Sequence, residues 1–430
     1  MPAANGRRLR IAHFVQRYPP ALGGSEAYFA RLSRFLAEQG HEVTVFTTNA
    51  IDLEAFWTTR GRRVSPGAAL EDGVRVRRYK LWHAPEQRRV LRVLSQIPVA
   101  GWQRLTLSCN PIAWGMWRDA GRADTLFDLV HASAFPYGWP LACGLRLARR
   151  LGVPFLLTPF LHTGDPDDPR DRTRRAYTSS ALMSVAHAAE RTFVQTESER
   201  EVLTQRGVPV NKLILQGMGV DLPGCTGGDR EKARAAWGVQ PDEVVIGHLA
   251  NLSVEKGTVD LLRAAQHCWH QGNRFHLVLA GPEMPNFRRF WDRFPDTSRV
   301  RRLSVLTDQQ KRDFFAGIDV FALPSRSDSF GLVLLEAWAN KAANVGYRAG
   351  GVAGVIRHDQ DGLLVRCGDI HGLAEALARL AADADLRQRL GYAGYARLPI
   401  EFRWEDKLQL VHQVYEEVLT RQSQEETGIL

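Results

Sequence analysis

The chain has 430 residues, 44% hydrophobic and 24% charged, a length that suits two domains of about 200 residues and a composition that excludes a disordered or fibrous protein. Its net charge of +9 favours anionic partners, from phosphorylated small molecules to lipid surfaces. No basic run interleaved with aromatics argues for nucleic acid, and Cys109, Cys143, Cys225, Cys268 and Cys367 make no CxxC pair or zinc spacing, which fits a reducing compartment.

MPAANGRRLR at the start lacks a signal-peptide core, and no apolar stretch is long enough to span a membrane, so a cytoplasmic location is expected. From there β-rich runs alternate with amphipathic helices, the pattern of a parallel sheet covered on both faces. Strands are expected at Leu9–Val15, Glu42–Thr48, Val74–Tyr79, Phe127–Ala132, Pro154–Thr158 and Thr192–Gln195. A turn over 18–26 precedes a helix reaching Gln39, and another helix covers Glu197–Gln205. Residues 218–229, rich in Gly, read as a linker. A second alternation follows, with strands at Val244–Leu249, Phe275–Ala280, Val300–Val305, Asp319–Ala322, Asn344–Tyr347 and Leu363–Val365, helices from about Lys256 and Asp369, and a helical segment Trp404–Leu419. The domains are therefore 1–217, 218–403 and a closing segment 404–430. Ligands of such sheets bind beyond the carboxyl ends of strands.

The most informative window is Pro-Ser-Arg-Ser-Asp-Ser-Phe-Gly-Leu-Val-Leu-Leu-Glu-Ala, residues 324–337. A helix starting near Gly331 offers free N–H groups and a positive dipole end to an anion. Glu336 lies ~7–8 Å further along the axis at 1.5 Å per residue, a spacing that suits a phosphate at the helix end and a sugar hydroxyl pair at the carboxylate. Ser-Asp-Ser before an apolar run is also an ordinary N-cap, and a helical Glu is commonly solvated.

Several segments in order resemble retaining glycosyltransferases of the GT-B class, family 4. Asp328-Ser-Phe-Gly-Leu-Val-Leu-Leu-Glu336 is similar to that family's pair of acids separated by seven residues that include a Phe-Gly. Asn251-Leu-Ser-Val-Glu-Lys256-Gly257, Gly219-Val220-Asp221, Gly350-Gly351-Val-Ala-Gly-Val-Ile, Asp361-Gly-Leu-Leu-Val and Gly23-Gly24-Ser-Glu resemble its other motifs. The resemblance implies two Rossmann-like α/β domains facing across a deep cleft, with the C-terminal helix returning to the first.

It also implies roles. Glu336 would hold the ribose hydroxyls of a nucleotide-sugar donor. Asp328, with the backbone of Ser329, Phe330, Gly331 and Leu332, would hold the sugar and its phosphate. Lys256 would neutralise the pyrophosphate, with Asn251 beside it, and Gly23 and Gly24 would close from the opposite domain. His162 stands where family members place a histidine beside the reacting sugar. Three positions depart from the family: Asp328 replaces a Glu, Asn251 replaces an Arg, and Gly354 stands where many relatives have a Glu. His248 or Arg326 could replace the positive charge lost at Asn251.

The implied reaction is transfer of the sugar to a glycan or lipid-linked acceptor with retention, with no cofactor and no metal. Asp165-Pro-Asp167-Asp168 and Asp383-Ala-Asp385 read as a solvated turn and a solvated helix rather than metal sites. Competing readings are a nucleotide-sugar epimerase and a catalytically silent subunit of a polysaccharide assembly complex. Segment 75–118 mixes Arg75, Arg77, Arg78, Lys80, Arg88, Arg89, Arg92 and Arg104 with Trp82, Trp102, Trp114 and Trp117. That pattern suits peripheral contact with the inner face of an anionic membrane, or a helical cover with a solvated basic face.

Overall fold

A computed structural model describes residues 7–122 and 126–428; the opening segment 1–6, which carries most of the signal-peptide argument, lies outside them. The chain forms two sheets. The first contains β1 (Arg10–Phe14), β2 (Glu42–Thr48), β3 (Gly67–Glu71), β4 (Val74–Tyr79), β5 (Leu129–Ala132), β6 (Phe155–Leu157), β7 (Arg191–Val194) and β8 (Leu213–Leu215), ordered β3-β4-β2-β1-β5-β6-β7-β8. Only β3 runs antiparallel, on the edge. The second contains β9 (Val245–Leu249), β10 (His276–Ala280), β11 (Val300–Leu303), β12 (Val320–Leu323), β13 (Ala343–Tyr347) and β14 (Gly362–Val365), all parallel and ordered β11-β10-β9-β12-β13-β14.

The central strands are nearly continuous apolar runs because helices cover both faces. Ile11, Ala12 and Phe14 of β1 are fully buried, as are Phe321 and Ala322 of β12. In each sheet the strand order reverses beside the first strand, between β1 and β5 and between β9 and β12. Those switch points open crevices at the carboxyl ends of the strands. The loops after β1 and β6 carry Gly23, Gly24 and His162, and the loops after β9 and β12 carry Asn251, Lys256 and Asp328.

The last helix, Trp404–Gly428, leaves the second lobe and returns to the first, as expected. Leu408, Val411, Val414, Tyr415 and Val418 join a core cluster with Tyr28, Phe29, Leu32 and Leu36 of helix Gly24–Glu38. The Tyr415 hydroxyl lies 2.6 Å from His131 Nδ1 and 3.2 Å from His13 Nε2, beneath β1 and β5.

Three details differ from the sequence reading. The edge strand β3 and the short β8 were not anticipated; every residue of β3 but the last is exposed, so no apolar alternation marks it. The linker contains a short helix, Leu222–Cys225, whose Gly224 N–H is capped by the Asp221 side chain. Helix Gly138–Leu151 fills a stretch left unassigned; ten of its residues are buried, which erases the polar face that periodicity needs.

Candidate active site

β12 ends at Leu323 and the chain turns through residues 324–330 into helix Leu332–Ala339. Gly331 precedes the helix at φ 89°, in the left-handed region, where a side chain is strained. No side chain caps this helix, so the ordinary N-cap reading of Ser-Asp-Ser fails. The turn is braced from behind: Gly351 N donates to Asp328 O at 2.7 Å. A Cβ at Gly351 would lie 2.3 Å from Ser329 O, so only glycine allows this approach.

Lys256 reaches the same turn from the loop after β9. Gly257 makes this possible, since a Cβ there would lie 1.8 Å from Pro324 O. The Lys256 ammonium donates to Asp328 Oδ2 at 2.6 Å and to Ser327 O at 3.4 Å. Burial pushes the Asp328 carboxyl up, but Lys256 and His162 outweigh it and hold the group below its usual range. His162 comes from the first lobe, with Nδ1 2.9 Å from Ser327 Oγ and its ring 4.7 Å from that of Tyr177. Burial and then Lys256 lower its pKa to about 4, so the imidazole is neutral near pH 7.

Glu336 sits one turn beyond Leu332 on the same face of the helix. That face looks toward the first lobe, for a Cβ at Gly24 would lie 3.8 Å from Leu332 Cδ1. Glu336 Oε1 accepts from Lys311 Nζ at 2.5 Å, while Oε2 is buried without a partner. Burial raises its pKa, and Lys311 opposes the rise. Gly23 packs against a buried Arg17–Glu26 ion pair of 2.7 Å; a Cβ at Gly23 would lie 2.2 Å from Glu26 Oε2.

The structure thus brings His162, Lys256, Asp328 and the Ser329–Leu332 turn together, with Glu336 further along the helix and Gly24 facing it. Asn251 stays exposed at the loop's edge. His248 is not available to replace the missing arginine. It is fully buried between Ala322 O and Thr258 Oγ1, at 2.8 and 2.9 Å, with burial first and Lys256 as a lesser cause lowering its pKa to about 4. Arg326 instead pairs with the buried Asp260. Asp165 and Asp168 accept from backbone N–H groups in their own turn, and Asp383 caps helix Ala384–Glu401. Among the described residues no cluster of His, Cys, Asp and Glu has a metal-holding arrangement.

Sequence reasoning missed Lys311, Tyr177 and Glu199. Glu199 accepts from Leu161 N and Gln195 N at 2.7 and 2.5 Å, fixing the strand end that presents His162, and burial pushes its carboxyl up to about 8. Its only signal was position within a capped first turn. The two lobes touch around this centre. Gly350 N donates to Gly164 O at 2.9 Å, and a Cβ at Gly354 would lie 2.8 Å from Thr196 Cβ.

Residues 23–217 match the model described as glycosyl transferase 4-like domain, and residues 229–397 match glycosyl transferases group 1. The chain is a family 4 glycosyltransferase. This glycosyltransferase is 26% identical over 401 residues to a D-inositol 3-phosphate glycosyltransferase of Thermobifida fusca, covering 86% of this chain and 83% of that one. It is also 26% identical over 386 residues to a 2-deoxystreptamine N-acetyl-D-glucosaminyltransferase of Streptomyces fradiae, covering 86% and 85%. Sucrose-phosphate synthase from Thermosynechococcus elongatus superposes with a TM-score of 0.71 at 20% identity, over 96% of this glycosyltransferase and 100% of that chain. An Anabaena protein in complex with UDP-glucose superposes at 0.69 and 17% identity, over 95% and 100%. These neighbours establish the GT-B fold.

In segment 75–118 part of the charge is paired and the tryptophans Trp82, Trp102 and Trp114 stay partly exposed. Arg77, Arg78 and Arg89 pair with Asp119, Glu71 and Glu86, Arg88 lies over the Trp57 ring, and the tryptophans turn toward one another. No described helix is long and apolar enough to cross a membrane.

Proposed function

We propose that this glycosyltransferase moves a sugar from a nucleoside diphosphate donor to a hydroxyl of a glycan or lipid-linked acceptor seated on the first lobe, with retention at the anomeric carbon. The observation that carries the reading is the buried, unpartnered Oε2 of Glu336. It shares one helix with an uncapped amino end, and ribose hydroxyls beside a diphosphate fit those two positions together.

In this reading the diphosphate lies at the amino end of helix Leu332–Ala339, and Lys256 faces it. As the bond from the anomeric carbon to the phosphate oxygen breaks, negative charge grows on that oxygen. Lys256 and the free N–H groups stabilise it, so the reaction as proposed requires no metal. The acceptor oxygen bonds to the anomeric carbon on the face the phosphate leaves, and the acceptor proton passes to the departing phosphate oxygen. Asp328, ionised beside Lys256, accepts from sugar hydroxyls and does not act as a nucleophile. Neutral His162 presents its free ring nitrogen to the sugar while Nδ1 meets Ser327.

The test is a screen of UDP-, GDP- and ADP-sugars by thermal shift, followed by product analysis with EDTA present and absent. A stabilising donor and an α- or β-linked product of the donor's own configuration are expected. An isomerised donor formed without acceptor would establish an epimerase, and unchanged donor in every case a silent subunit.

A further inference from the structure

We propose that a tryptophan-lined groove on the first lobe holds the hydrocarbon chain of a single anionic lipid, whose phosphate sits among Arg104, Arg146 and Arg149. The groove has a volume of about 400 Å³ and is walled by Trp82, Leu91, Trp102, Trp114, Trp117 and Trp139. Trp82 and Trp114 are roughly half exposed even so. A concavity of this volume, lined mainly by aromatic and aliphatic side chains, is of the kind that holds small ligands.

A notch of about 250 Å³ adjoins the groove and shares Leu105 and Trp117 with it; Arg104, Arg146 and Arg149 line it. Arg146 lies over the Trp117 ring at 4.4 Å. Among the described residues none of these three arginines has a carboxylate partner, unlike Arg77, Arg78 and Arg89 close by. Arg104 Nε is buried with no hydrogen-bond partner. Burial and then Arg149 press its pKa down, yet a guanidinium stays charged. Three like charges gathered without an acid are stabilised by an anion with several acceptor oxygens, and a phosphate supplies them.

The occupant is one lipid molecule rather than a bilayer surface. A helix lying on a membrane directs its aromatic side chains outward to one side. Here the rings face inward across a concavity, with Trp114 and Trp139 centroids 5.1 Å apart and Trp82 and Trp114 6.3 Å apart. The segment that walls the groove is hydrogen-bonded to the helix that follows Tyr177. Wall residue Trp139 follows Tyr137 at the start of helix Gly138–Leu151, and Gln103 accepts from Ser180 at 3.0 Å. That the lipid carries the acceptor sugar rests on the function proposed above; its binding does not.

The experiment is tryptophan fluorescence of the full chain titrated with dodecyl phosphate below its micelle concentration. Dodecyl maltoside and inorganic phosphate serve as the neutral-chain and headgroup-only probes. Dodecyl phosphate is expected to bind about tenfold or more tightly than either. Arg146→Gln with Arg149→Gln, both exposed and tolerant of change, should abolish that preference while leaving chain binding intact. Leu91→Asn should weaken both amphiphiles.

Equal affinity for the two amphiphiles, or a phosphate preference unmoved in the double variant, would overturn the proposal. So would salt-sensitive sedimentation with anionic phosphatidylglycerol vesicles that Leu91→Asn leaves unchanged. Thermal shift with the nucleotide-sugars, run on the same variants, separates failure here from failure of the donor reading.

Discussion

The Lys256 ammonium and the Asp328 carboxylate lie 2.6 Å apart in a largely buried turn, one from the loop after β9 and the other from the loop after β12. The pair is the meeting point of the two loops that flank the second sheet's switch point. A diphosphate arriving there shares the lysine's protons with Asp328. In the proposed reaction Lys256 answers charge on the leaving group, and Lys256→Ala removes that cation. Turnover should fall about 100- to 1000-fold, measured as kcat with saturating donor. A loss below tenfold would assign the charge stabilisation elsewhere.

Glu336→Gln should weaken nucleotide binding about 10- to 100-fold, the range of a lost charge-assisted hydrogen bond. Burial raises the Glu336 pKa despite Lys311. Nucleotide affinity of the unsubstituted enzyme should therefore begin to fall at a higher pH than an ordinary carboxylate would dictate. Calorimetric titration of the nucleoside diphosphate from pH 7.5 downward reads both effects, and the acid limb should vanish in the Gln variant.

Gly351→Ala places a methyl group 2.3 Å from Ser329 O. The phosphate turn must move, while little else in the core does. Donor affinity should drop at least as far as in Glu336→Gln, with far-UV circular dichroism unchanged. Retained affinity would show that the turn tolerates displacement.

Much of this centre was legible in the sequence because it is local. The Phe-Gly turn, its glycine brace and Lys256-Gly257 each announce themselves within a few residues, since left-handed backbone and close approach demand glycine. What stayed hidden is contributed from afar. Lys311 meets Glu336 across 25 positions, from a helix whose first turn reads as ordinary solvated surface. Tyr177 reaches His162 through a short helix with no buried residue. His248 looked like a spare cation because sequence does not reveal burial, and full burial makes it a neutral strut. The tryptophans of 75–118 suggested membrane contact or a helical cover; the packing of Trp114 and Trp117 on Trp139 depends on a residue outside that segment.

Three fully buried histidines predict acid lability. Burial lowers His13 to about 3 and His248 to about 4, and burial then His13 hold His131 well below its ordinary value. A histidine near 6.5 when unfolded and lower when folded contributes its full stability above pH 6.5 and loses it as the pH falls toward the folded value. Each adds up to about 1.4 kcal/mol of loss per pH unit in that window. Calorimetry should show Tm falling steadily from pH 6.5 to 5. A flat Tm there would mean these rings are already charged in the fold.

Tyr415→Phe leaves His13 Nε2 and His131 Nδ1 buried without their shared hydroxyl. The cost should be about 1–3 kcal/mol, read as a lower urea midpoint with unchanged slope. His131→Phe in the same background should recover part of it, because removing both partners costs less than orphaning one.

The return of helix Trp404–Gly428 to the first lobe bears on synthesis. Tyr28 and Phe29 leave the ribosome long before Val411 and Tyr415, which share their core cluster. The first lobe must therefore wait, incompletely sealed, while the entire second lobe is translated, and a nascent chain halted before residue 404 exposes apolar surface for chaperones or proteases to seize.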